Sequence, residues 1–135
     1  MQRIMLLLPL ALGVPPGVAE RAVVVRYTTV ADIQAALASG PGPVILRSDG
    51  LRDSNVTTAA DAVRAAAMTV IEVRSDRWDG ASYSELSAAC RGVISGFGAD
   101  GILAALALLE REAARIPCSP APSCVSALGL MPAAG

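Results

Sequence analysis

The chain contains no histidine and no lysine, and aromatic side chains make up only 3% of its residues. The missing imidazole excludes Ser-His-Asp and Cys-His catalysis, histidine-ligated zinc and imidazole proton transfer. Acid–base chemistry is left to carboxylates, tyrosine and water. The three cysteines, Cys90, Cys118 and Cys124, form no CxxC pair, which removes the spacing a structural zinc site needs, so no metal is expected. Cys118 and Cys124 flank a proline-rich stretch and would bridge only in an oxidising compartment, whereas Cys90 reads as a buried thiol in a helix. Positive charge comes from arginine alone, and 11 cations against 12 anions leave no basic footprint for nucleic acid.

What is present is aliphatic. Apolar residues make up 53% of 135, enough for one domain whose core must be built from Ala, Val, Leu and Ile. The apolar run Ile4 to Val14 follows Arg3 and leads into Pro15-Pro16-Gly17-Val18-Ala19. Two readings stay open: an apolar N-terminal extension of a cytoplasmic protein, or a secretory signal peptide cleaved after Ala19. Pro9 interrupts the run, which is too short to span a bilayer, so no membrane is expected as a partner. The domain proper is expected over residues 20–116, with a Pro- and Cys-containing segment at 117–135.

Within 20–116 the periodicity alternates between strand and helix. Ala22 to Tyr27 is a compact β-branched run and reads as the first strand. Thr29 opens a helix with Asp32 three positions later as a capping-box variant, and Gly40 closes it. Val44 to Leu46 is a second strand, and a helix follows from about Thr57 to Ala67. Met68 to Val73 reads as a third strand, Ser82 to Cys90 as a helix, and Gly92 to Ser95 as a fourth strand. Asp100 caps an apolar helix over Ile102 to Leu109, apolar all round and so buried. Strands alternating with helices through short loops predict an α/β fold with a small, mostly parallel sheet.

Two stretches carry candidate chemistry. Gly96-Phe97-Gly98-Ala99-Asp100-Gly101 fits G-x-G-x-x-G between a strand and a helix, the setting of a pyrophosphate cradle. Asp100 would oppose phosphate, and no acidic ribose ligand follows at the proper interval, so a tight strand-to-helix turn is the plainer reading. The other stretch runs from the strand Met68–Val73 through Trp78 and Gly80-Ala81 to Glu85-Leu86-Ser87-Ala88-Ala89-Cys90.

That stretch resembles the crotonase family of enoyl-CoA hydratases and isomerases, as does Leu128-Gly129-Leu130-Met131-Pro132 near the C-terminus. The resemblance implies a truncated crotonase-like core that binds an acyl-CoA thioester, assembles as a homo-oligomer and needs no cofactor beyond the coenzyme A of its substrate. It implies an oxyanion hole from the backbone N–H groups of Gly50, Gly80 and Ala81, and Glu85 as the acid–base carboxylate. Arg47 and Trp78 would contact the substrate. Arg91 stands where the family has aspartate and Val125 where its second glutamate belongs, which implies single-carboxylate chemistry. Apart from the resemblance, Glu85 has a structural role open to it, as the far end of a capping box from Ser82. A non-catalytic α/β interaction domain, secreted if the leader is cleaved, is the alternative function.

Overall fold

The computed structural model describes residues 3–39, 42–52, 54–75 and 84–115. Among these residues five strands run in the order β1 (Ile4–Pro9), β2 (Ala22–Tyr27), β3 (Val44–Arg47), β4 (Val70–Arg74) and β5 (Gly92–Ser95). Four helices accompany them: α1 (Val30–Ser39), α2 (Ser54–Ala65), α3 (Glu85–Ala89) and α4 (Ala99–Arg115). All four strand pairings are parallel, and the spatial order is β2-β1-β3-β4-β5. The expected α/β class with a parallel sheet and alternating helices is the observed one.

The first correction concerns residues 4–9. They are not an appendage to the domain but an interior strand of its sheet, paired to β2 along one side and to β3 along the other. Leu6, Leu7 and Leu8 are fully buried, because a strand covered on both faces buries successive side chains in opposite cores. Ala22–Tyr27 is therefore the second strand and sits at the edge. Cleavage after Ala19 would remove β1 and leave β2 without a neighbour in the sheet.

The chain steps one way from β1 to β2 and the other way from β3 through β5. Segments returning in opposite directions lie on opposite faces, as right-handed crossovers require. Helices α1, α2 and α3 cover one face, with Met5, Leu7, Val44, Leu46 and Val70 beneath them. The loop of residues 10–21, through Val18, and α4 cover the other, over Ile4, Leu6, Ile45, Ile71 and Val73. Each fully buried Leu or Ile contributes about 1.5–3 kcal/mol. Among the described residues no helix is long and apolar enough to cross a membrane.

Local chemistry sets the helix ends. Asp32 Oδ2 accepts from the backbone N–H groups of Thr28 and Thr29 at 3.0 and 3.2 Å, the expected capping arrangement. These bonds hold the Asp32 carboxyl below its ordinary value. Helix α3 starts later than expected, and Ser84 is its cap, accepting from the Ser87 N–H at 3.3 Å. Helix α4 is longer than the apolar stretch suggested and begins at Ala99, so Asp100 lies in its first turn rather than at its cap.

The loop 10–21 connects two parallel strands without a helix and is held by arginines. Arg26 Nη1 donates to the carbonyls of Leu10, at 3.0 Å, and of Leu12. Arg21 forms a two-bond pair with Glu110 of α4, at 2.6 and 3.0 Å.

Candidate functional site

In a doubly wound sheet ligands bind outside the carboxyl ends of the strands, by preference where the strand order reverses. Here the reversal falls between β1 and β3, and that crevice is filled. Tyr27, at the end of β2 and 3% exposed, donates its hydroxyl to the Arg47 carbonyl. The Gly50 backbone N–H faces the same phenol oxygen. A Cβ on Gly50 would make ordinary van der Waals contact with the Tyr27 hydroxyl, at 3.4 Å, and with the Pro9 ring, at 3.6 Å, so the turn lies close against the plug. Burial, first, pushes the phenol up to about 12.

The open cavity lies one strand further on, at the carboxyl ends of β3 and β4. Its volume is about 470 Å³, and its lining includes Ser48, Asp49, Glu72, Arg74 and Arg52. The floor is formed by Glu72 and Ser48, and Ser87 of α3, which does not itself line the cavity, supports Glu72. Glu72, only 2% exposed, projects from β4 toward the α2–α3 face. Its Oε2 accepts from Ser48 Oγ after β3, and its Oε1 from Ser87 Oγ in α3, each at 2.5 Å. The register places Leu46 opposite Glu72, so the chain just beyond β3 reaches the carboxylate.

Above the floor, Asp49 Oδ1 accepts from the Ser75 backbone N–H at 3.0 Å and Oδ2 meets Arg47 Nε at 2.6 Å. Arg74 Nη1 lies 3.4 Å from Ser87 Oγ. Arg52 is exposed and lines the cavity, and its side chain makes no hydrogen bond or ion pair with another described residue. The first turn of α2 contributes Val56, which with Leu51 and Leu86 supplies the apolar part of the wall. The arrangement can accept hydrogen bonds at the floor and hold an anion near Arg52. Cys90, the one thiol among the described residues, is not in this lining; it is pushed up to about 12 by burial and by the Glu72 charge, and stays protonated at neutral pH.

Of the residues expected from sequence, the described ones, Glu85, Gly50 and Arg47, are not in the cavity lining. Glu85, the first residue of α3, does not line the cavity. Its Oε1 accepts from Thr57 Oγ1 of α2 at 2.8 Å, and its Oε2 lies 3.8 Å from Arg64 Nη2, so it ties α3 to α2. The Gly50 amide turns to Tyr27, and the Arg47 guanidinium is 8% exposed and bound to Asp49. Gly80, Ala81 and Trp78 lie outside the described residues, as do Ser82, Cys118, Cys124, Val125 and the segment 117–135.

The glycine motif after β5 serves packing and turning. Gly96 and Gly98 have φ of 84° and 55°, and a Cβ on Gly101 would meet Val73 Cγ1 at 2.9 Å.

Sequence reasoning passed over Glu72, Ser48 and Ser87. A signal existed: Glu72 is the one charged residue in the apolar run Val70–Val73, and a buried glutamate needs partners. Compared with known proteins, the chain matches no family model, and it matches no curated sequence.

Proposed function

We propose that this domain binds a small polar molecule in the cavity at the carboxyl ends of β3 and β4, with the Glu72 carboxylate as the recognising group. The observation that carries the reading is the buried Glu72, both oxygens held by serine hydroxyls, at the floor of a 470 Å³ space. Burying a carboxylate is unfavourable, and an apolar residue of similar volume would serve stability as well or better. A glutamate kept there, where doubly wound sheets bind ligands, supports a binding role.

The test is amide chemical-shift mapping of the full chain against a panel of small polar compounds, with acetyl-CoA and crotonyl-CoA as the competing class implied by the crotonase resemblance. Shifts centred on Ser48, Glu72 and Ser87 with a polar compound, lost in Glu72→Gln, are the expected result. Perturbation by acyl-CoA alone, with crotonyl-CoA turnover abolished in Glu85→Ala, would replace this reading with the thioester one. A panel that leaves those three amides unmoved would reject ligand binding at the cavity.

A further inference from the structure

The chemistry around the cavity narrows the ligand class, an inference that rests on the cavity being a ligand site. Ser48 and Ser87 each spend their one hydroxyl proton on Glu72. What Ser48 and Glu72 present to the cavity is lone pairs, two on the serine oxygen and the remainder on the carboxylate, while Ser87 Oγ also accepts from Arg74 Nη1. The floor can therefore only accept hydrogen bonds, and it carries a negative charge. A ligand group seated there must donate, and an ammonium gains more than a hydroxyl because it also meets the charge.

The opposite requirement holds at Arg52. A guanidinium presents a planar fork of donors that matches a carboxylate. Asp49 is already shared between Arg47 and the Ser75 N–H, so it is not the partner of Arg52. A ligand that carries both an ammonium and a carboxylate meets the Glu72 charge and the Arg52 guanidinium together, which a bare amine or a bare anion does not.

Leu51, Val56 and Leu86 add an apolar wall. We infer that the cavity is a site for a small aliphatic amino acid, with its ammonium on the Ser48–Glu72 floor, its carboxylate at Arg52 and its side chain against Leu51 and Val56.

The test titrates wild-type protein with L-valine and with analogues that each lack one end: isovalerate, isobutylamine and 2-hydroxy-3-methylbutyrate. Amide shifts at Ser48, Glu72 and Ser87 report occupancy. Valine is expected to bind at least about tenfold more tightly than each analogue, since each lost charged contact removes of order 1.4 kcal/mol. Arg52→Gln, an exposed change that leaves the fold intact, should reduce valine to the level of isobutylamine and leave isobutylamine itself unchanged. Glu72→Gln should reduce valine to the level of isovalerate. An analogue that binds as tightly as valine, or an Arg52→Gln variant that binds valine as wild type does, overturns the amino-acid assignment. If valine leaves the cavity amides unmoved while another polar compound shifts them, this inference falls and the binding reading stands. If nothing shifts them, both fall.

Discussion

The crevice between β1 and β3 and the crevice between β3 and β4 are built on the same stretch of chain after β3, yet one is filled and the other open. In the first, the Tyr27 ring lies against Gly50, and its hydroxyl serves the Arg47 carbonyl and the Gly50 amide together. In the second, Ser48 and Glu72 satisfy each other but bring little side-chain volume, and the space above them stays open to solvent. A phenol supplies a large apolar body and one polar tip, which suits a buried plug. Serine and glutamate supply polar atoms without bulk. The two crevices show that a doubly wound sheet offers several places for a ligand, and that side-chain size decides which of them remains available.

The comparison can be broken by changing either side. Truncating the plug, Tyr27→Ala, is expected to have the largest effect, a loss of about 3–5 kcal/mol in urea denaturation, as for other buried aromatics. A loss below about 1 kcal/mol would mean that the β1–β3 crevice tolerates being opened, and the contrast would fail.

The turn after β5 belongs with the plug on the structural side. Gly101→Ala should cost about 1–3 kcal/mol, because the new methyl presses on Val73 and Ile94, neither of which has a flexible end to move aside. A neutral result in the same denaturation assay would show that α4 can retreat from the sheet, and would reopen the question of what Gly101 is for.

Alkaline pH probes the plug without disturbing its shape. Tyr27 ordinarily titrates at 10.0 and is pushed up to about 12 in the fold, chiefly by burial. A folded-state value above the unfolded one means that the stabilisation is complete below pH 10 and is lost as pH rises through 12. Cys90, moved from 9.0 to about 12, contributes in the same sense from pH 9 upward. Stability measured from pH 8 to 12 should therefore fall steadily in wild type, and less steeply in Tyr27→Phe. Parallel profiles for the two proteins would show that the phenol is not buried as described.

The smallest effect on stability should come from the open crevice. In Glu72→Gln the amide oxygen can still accept from one serine, and the amide nitrogen can donate to the other, so the cost should stay within about 1 kcal/mol. Ligand binding should nevertheless fall. A stability loss as large as that of Tyr27→Ala would make Glu72 a structural tie between β4, β3 and α3, and would remove the distinction between the two crevices.

Legibility in the sequence was uneven for identifiable reasons. The β-branched runs 22–27 and 44–46, the Thr29–Asp32 cap and the apolar stretch 102–109 declare their elements locally, because propensity, capping and periodicity act over a few residues. Ile4–Pro9 does not. A leucine-rich apolar run beside prolines has the same composition in a leader as in a strand buried on both faces, and only its pairing with β2 and β3 separates the two. The site was harder still. Glu85 stands in a motif, yet its carboxylate turns to Thr57 on the neighbouring helix, a direction set by how α2 and α3 pack. Glu72 stands in no motif, and its role depends on Ser48 and Ser87, which are distant from it along the chain.

Composition and local pattern alone determined that the core would be aliphatic, that any chemistry would proceed without imidazole, and that strands would alternate with helices. These properties are local or cumulative, and need no knowledge of which segments meet. Tertiary structure alone decided that β1 lies inside the sheet, that Tyr27 closes the crevice at the point of strand reversal, and that Glu72 lies at the floor of the open one. Each of these is a contact between distant segments. The sheet order creates them by setting particular carboxyl ends side by side.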